Sequence, residues 1–536
     1  MHESLQISAL RNQPIPIQRI ALKAAGGSID DLNHLLEATS PDRKTLLLPS
    51  IYQILDSKHL PNNDSDRPLP AAASRARSAV VRAMDLLPQI SPIDDTVGID
   101  LWPRLWAWFL FLESECQSQE DGEAESLMCA RIIRCAFHVV LPAGSSIETK
   151  SHLRSTPGFY SAVARAWRFV FRGFEGVNWQ TPIRRNAENL VLLTIVLAFV
   201  SDRKNDIASS AFLEALVDGV DGSTAVLAGV MIKHIDVATD ALSSPEVMVA
   251  DSGFLQLEYL TAFLCFLEAA DKEVASGESL PHQIFRELTK GRVAISLFRA
   301  VHALSAFKND AIATDNLPQV INQCLHILSR LFLDGKMYAA TRVEVAPLFL
   351  LTIASCGQQP HLFETRTHAF LKQILCELLP CSTLYSKVLR QMEHIAADMA
   401  TPEFAASGLL PLWTSFIGLV DNRLRVLNAL ESGDISSMRA CDNMLCGKLG
   451  LRADFERCGG CLSFYYCSKQ CQSVDWEDGG HKSTCKEFVP LLSEKAALTT
   501  RERSFVRAVL HYDYALSRFQ IYTEIVQCLR AHPGGG

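Results

Sequence analysis

The sequence lacks any apolar run long enough to cross a bilayer. Its longest, "LVLLTIVLAFV" from Leu190 to Val200, has 11 residues, whereas a spanning helix needs about 20; the stretch is expected to be a buried core helix. The N-terminal "MHESLQISALRNQPIPIQRI" has no basic segment leading into an apolar core, so no secretory signal is expected there. The expected setting is therefore intracellular and reducing, in cytoplasm or nucleus. Positive charge is not in surplus either. Against 59 Asp and Glu stand 51 Lys and Arg, a net charge of −8, which gives no global support for nucleic acid or an anionic membrane as partner. Also missing are a phosphate loop of the G-x-x-x-x-G-K type, a G-x-S-x-G elbow and an H-E-x-x-H helix, the patterns through which common catalytic sites announce themselves. Catalysis is not expected.

What the chain has in quantity is apolar residues, 48% of 536, enough for a sizeable core in several domains or one extended array. From about residue 15 to 431 the apolar positions recur at spacings of three and four, broken by short Pro, Gly, Asp and Ser segments, with no convincing alternating strand run. "SIDDLNHLLEAT" opens with Ser28 and, three residues on, Asp31, a start resembling a capping box. "LWPRLWAWFLFLE", Leu101 to Glu113, is apolar nearly all round, as a helix covered on both sides would be. Its Trp102, Trp106 and Trp108 are expected in the core. "PNNDSDRPLPAA", Pro61 to Ala72, is a polar, proline-rich loop. Many helices with short connections favour an all-α fold: a helical-repeat solenoid similar in kind to armadillo or HEAT arrays, or a multi-helix array.

This pattern stops at "ESGDISSMRACDNMLC" and resumes after "STCKEF". The expected domains are thus an α-helical array over 1–435, a small module over 436–488 and a C-terminal amphipathic helix with its tail over 489–536. In the last of these, Thr499 and Glu502 resemble a helix cap, and Phe505, Val509, Tyr512, Leu516, Phe519, Tyr522, Val526 and Leu529 form one apolar stripe. The stripe is expected to dock on the module or the helical array in preference to forming a coiled-coil dimer seam.

The middle module concentrates soft ligands. Cys441, Cys446, Cys458, Cys461, Cys467, Cys471, His481 and Cys485 follow C-x4-C-x11-C-x2-C-x5-C-x3-C-x9-H-x3-C. In a reducing setting such density points to metal and not to disulfides. Zinc takes four such ligands tetrahedrally, so eight make two sites, and a site closed by four protein ligands keeps no position for reacting water. Cys458 and Cys461 bracket two glycines that allow a tight turn. Cys467 and Cys471, like His481 and Cys485, stand at i, i+4 and can share a helix face. Spacing leaves open whether the four pairs close two sites in sequence or interleaved. The segment has too few aliphatic residues for a core of its own and is expected to depend on metal.

"CGGCLSFYYCSKQCQSVDWEDGGHKSTC" resembles the MYND-type zinc finger: a cysteine pair, an aromatic-Cys-Ser-x-x-Cys-Gln core, a tryptophan, then His-x-x-x-Cys. The resemblance implies two structural zinc ions in an interleaved arrangement, Cys441, Cys446, Cys467 and Cys471 on one, Cys458, Cys461, His481 and Cys485 on the other. The first pair departs from the family, being C-x4-C where many members have C-x2-C. The whole layout, a long helical region with such a finger near its C-terminal end, also resembles a group of proteins from mushroom-forming fungi. A MYND finger further implies protein partners with proline-rich peptide motifs, and the matching groove residues are Gln472 and Trp476, at i, i+4 on one helix face. An indole offers a flat apolar surface to a proline ring, and a glutamine can hydrogen-bond an extended backbone. The rival reading has Trp476 packing the small core and Gln472 idle at the surface.

Nucleic acid is not expected as a ligand of the finger, where residues 441 to 487 carry six positive and seven negative side chains and phosphate binding needs a positive surplus. The alternatives to an adaptor or scaffold are a nuclear transcriptional co-regulator acting through protein contacts and a divergent lysine methyltransferase of the kind in which a MYND finger interrupts the catalytic domain. Against the latter, only one amphipathic stretch follows Cys485, and the sole Asn-His pair, Asn33 and His34, lies in a helix-like segment. Other metal-capable sets, Cys129, Cys135 and His138, or Cys376 and Cys381, are expected to be buried thiols and a helix end.

Overall fold

The computed structural model describes residues 1–61, 71–90, 93–118, 122–140, 152–153, 155–172, 210–244, 247–273, 279–290, 292–307, 316–333, 345–346, 348–354, 365–395, 408–434, 438–493 and 500–531. The apolar run 190–200, Thr499 and most of the proline-rich loop lie outside them. Contacts divide the chain into two units, Met1–Ser296 with Phe307–Thr314, and Leu297–Ala306 with Asp315–Gly536.

The regular elements of the first unit are all helices among its described residues, joined by short turns. Ser28 caps the Ile29–Ala38 helix, its hydroxyl accepting from the Asp31 N–H. Helices close in the chain pack on one another: Asp95–Ser118 on Gly122–Val140, which packs on Phe159–Arg172, and Thr224–Leu242 both on the next helix, Val247–Glu273, and on the one after it, Leu280–Lys290. Burial explains this architecture. Trp102, Leu105, Trp108, Phe109 and Leu112 of the Asp95–Ser118 helix are all buried, so this helix is covered on more than one side, as an apolar circumference demands. Trp102 lies edge-on to Phe159 at 5.8 Å and donates its indole N–H to Thr156 Oγ1 at 3.0 Å, so a large ring is buried with its one polar atom satisfied. At Gly253 a Cβ would meet the Ala238 carbonyl at 2.7 Å. Glycine there sets the close approach of the Thr224–Leu242 and Val247–Glu273 helices.

The second unit continues the multi-helix array through Leu317–Leu333, Thr365–Gln373, Ser386–Ile395 and Leu410–Ser432, with Phe298 and Phe349 meeting edge-on at 4.2 Å. Gly433, at φ +85°, ends the Leu410–Ser432 helix in a left-handed cap, just where the sequence periodicity stops. Beyond it come two short antiparallel hairpins, β1 (Met438–Ala440) with β2 (Leu449–Leu451) and β3 (Glu456–Arg457) with β4 (Tyr465–Tyr466). These are the strands among the described residues. Two helices, Lys469–Glu477 and His481–Ser493, complete the finger.

A final helix, Thr500–Ala531, packs on Leu410–Ser432. Its Phe505, Ala508 and Val509 are buried, and ion pairs join Arg501 to Glu431 at 2.5 Å and Arg423 to Asp513 at 3.8 Å. Arg507 reaches the finger, its guanidinium 5.6 Å from the Tyr465 ring. The docking expected of the whole apolar stripe thus holds for its first part alone: from Tyr514 onward the helix is exposed except at the half-buried Val526, with Leu516, Phe519, Tyr522 and Leu529 all open.

Candidate metal centre

Each ligand pair sits on a tight local element. Cys441 and Cys446 lie in the turn of the first hairpin, where the Cys441 N–H donates to the Lys448 carbonyl and the Cys446 N–H to the Asn443 carbonyl, both at 2.9 Å. Cys458 and Cys461 lie in the turn of the second, with Cys458 N–H donating to the Phe464 carbonyl at 3.0 Å. A Cβ at Gly460 would stand 3.1 Å from the Cys485 sulfur, so the glycine leaves room for the thiols to converge. Cys467 follows β4, and Cys471 sits in the first turn of Lys469–Glu477, capped by the Ser468 hydroxyl at 3.2 Å. His481 and Cys485 occupy the first turns of His481–Ser493.

The eight residues gather into two groups: Cys441, Cys446, Cys467 and Cys471, and Cys458, Cys461, His481 and Cys485. Within each group all ligand atoms lie within 4.8 Å of one another. The arrangement is interleaved, the first and third pairs forming one site and the second and fourth the other. Bonds of ~2.3 Å to sulfur and ~2.0 Å to nitrogen make a tetrahedron with edges of about 3.8 Å between sulfurs and about 3.5 Å from sulfur to nitrogen. Observed separations are 3.5 Å for Cys446 to Cys467, 3.6 Å for Cys467 to Cys471 and 3.9 Å for Cys458 to Cys485. His481 Nε2 stands 3.3 Å from the Cys458 sulfur and 3.7 Å from that of Cys461. A disulfide needs ~2.05 Å; these cysteines are arrayed around a point.

Without a cation the thiols oppose one another's ionisation. Burial works against the Cys458 thiolate, but the backbone N–H groups of Cys461 and Gly460 and the His481 ring outweigh it and bring the thiol down to about 6. Cys485 is pushed up to about 11 by burial and by the neighbouring Cys458. In the other site the Ser468 hydroxyl lowers Cys471 to about 7, while the hydrogen bond with Cys446 raises Cys467 to about 12. A dication at each centre removes this conflict. One donor set is four cysteines and the other three cysteines with a histidine. Each is closed by protein ligands alone, and the two fit two structural zinc ions.

Sequence reasoning missed the groups that hold these ligands. Asp475, buried on the Lys469–Glu477 helix, accepts from the Tyr466 hydroxyl at 2.6 Å, tying that helix to β4 next to Cys467. Asp475 is four residues beyond Cys471, on the same face, and that spacing was a usable signal. A Cβ at Gly479 would collide with the Asp475 side chain at 2.1 Å. Asp442 bonds to the Tyr465 backbone in both directions, donating its N–H at 2.8 Å and accepting at 2.5 Å. Arg439, buried, stacks on the Tyr465 ring at 4.4 Å, and desolvation lowers its pKa.

Gln472 and Trp476 both lie on Lys469–Glu477. Gln472 is half-buried. Trp476 is 36% exposed and lies edge-on to the His481 ring at 5.6 Å, so it both packs the finger and presents surface. Elsewhere, Cys129 and Cys135 are buried, and burial drives the Cys135 thiol up to about 12. Cys376 and Cys381 are exposed, Cys381 at a helix end as expected but Cys376 within the π-helical turn Ile374–Leu378 that precedes it, and they belong to neither ligand group.

Two interleaved closed sites on paired hairpins and short helices define a small two-zinc finger. Residues 441–485 match the family model of the MYND finger, and this segment is a MYND finger, a module that generally serves protein–protein interaction. No curated protein and no solved structure matches the chain. Among the described residues no helix is long and apolar enough to cross a membrane.

Proposed function

We propose that the protein is a non-enzymatic adaptor whose finger docks proline-containing peptides of partner proteins between Gln472 and Trp476, the helical array serving as its scaffold. The observation that carries this reading is the partly exposed Trp476 indole, held edge-on by the zinc ligand His481. A rigid flat ring on a metal-fixed helix suits a proline ring, and the half-buried Gln472 one turn earlier is within reach of an extended ligand's backbone. The closed ligand sets support a structural role for the metal, since they keep no position for reacting water. The test is an array of synthetic proline-containing peptides probed with the full chain and with the double variant Gln472→Ala, Trp476→Ala, zinc content being measured on both. The reading expects peptides bound by the wild type and lost by the variant at unchanged zinc. Identical peptide binding by both proteins, or none by either, would overturn it.

A further inference from the structure

The C-terminal helix carries a heptad pattern that its own unit uses only at the start. With Phe505 at position a, the a positions are Phe505, Tyr512, Phe519 and Val526, and the d positions Ala508, Ala515, Tyr522 and Leu529. A repeat of seven residues with apolar a and d keeps one seam facing a partner helix. Phe505 and Ala508 are buried, while Phe519 is 83% exposed, Tyr522 68% and Leu529 61%. Leu516 and Ile525, at the flanking e and g positions, are exposed as well and widen the seam.

We propose that residues 512–529 of this helix form a coiled coil with the same helix of a second copy of this chain. The exposed area supports self-pairing. Phe519 and Tyr522 alone expose on the order of 300 Å², and with Leu516, Ile525 and Leu529 the face reaches roughly 600 Å². That is the upper end of what a monomer leaves uncovered, about 300–600 Å², and approaches the ~800 Å² per partner of a stable interface. The charge pattern supports it too. Between residues 514 and 531 the charged side chains are Arg518, Glu524 and Arg530, too few and too mixed to select a partner of opposite sign. An identical seam is the surface whose pattern, period and lack of charge match it without further assumption. Pairing would also bring two fingers into one assembly, so that a partner with two docking peptides would bind with avidity.

Sedimentation equilibrium of the zinc-loaded full chain tests this against the single-chain mass of 59.3 kDa. The variant Phe519→Glu, Tyr522→Glu changes exposed positions and keeps good helix formers, so folding and zinc content should hold. The variant Phe519→Leu, Tyr522→Leu keeps an apolar seam. The proposal expects twice the single-chain mass for the wild type and the leucine pair, and a twofold fall for the glutamate pair. A wild type of single-chain mass at all concentrations, as when another part of the chain covers the helix, would overturn it. So would a dimer that survives the glutamate pair, because the contact would then lie elsewhere.

Discussion

The helical units and the finger reach a folded state by opposite means. In the first unit the interior is aliphatic and aromatic, with Trp102, Trp108, Trp167, Phe109 and Phe159 fully buried, and its stability grows with the apolar area removed from water. The finger's interior consists of Cys441, Phe455, Cys458, Cys461, Tyr465, Tyr466 and Cys485, with Phe464, Cys446, Cys467 and Cys471 packed against them. No Leu, Ile or Val is among these residues. A small segment with four aromatic rings and no aliphatic core depends on metal to stay folded, the sites supplying what aliphatic burial supplies elsewhere. The lesson is that a polar, glycine-rich segment can be the most sharply defined part of a chain when its organising contacts are coordinate bonds.

Removing the metal should separate the two regions most strongly. Zinc contributes about 10–16 kcal/mol in small fingers, so chelation is expected to expose 441–485 to protease while the helical circular dichroism signal stays nearly intact. A finger that remained protease-resistant after complete chelation would erase the contrast.

Acid should sharpen it from the other side. In the first unit His234 is buried, accepting the Trp167 indole N–H at Nδ1 at 3.0 Å, with Gln256 Oε1 3.3 Å from its Nε2. Burial pushes its pKa down to about 3, against ~6.5 in the unfolded chain. Between those values the unfolded chain binds a proton that the native one refuses, so stability falls as pH falls, by up to about 1.4 kcal/mol for each unit below 6.5. The effect is present whether or not zinc is bound. Replacing His234→Gln should flatten the fall in unfolding midpoint between pH 6.5 and pH 4, measured with and without chelator. An unchanged slope would assign the acid response to other groups.

The two regions also differ in how far their sequences disclosed them. The zinc ligands were legible because thiol spacing is itself the chemistry: pairs such as Cys458 and Cys461 need only a local turn to converge. Their interleaved pairing was not, since it depends on how two hairpins stack, and it came through family resemblance. The strands escaped notice because runs as short as Glu456–Arg457 and Tyr465–Tyr466 cannot display alternation. In the helical region a period of three and four revealed helices, and the all-round apolar run at Leu101–Glu113 revealed a covered one. The same signal failed at the C-terminus. An apolar stripe looks alike whether it is docked, as at Phe505 and Val509, or left open, as at Phe519 and Leu529, because periodicity reports a face and not its cover.

Two interleaved zinc sites, one of four thiolates and one of three thiolates with His481, organise the finger. X-ray absorption at the zinc edge, on the purified full chain of known metal content, tests this most directly. The account predicts two zinc ions per chain and an average shell of 3.5 sulfurs and 0.5 nitrogens, from four plus three sulfurs and one nitrogen over the two sites. A single ion per chain, or a shell rich in oxygen and nitrogen, would contradict it.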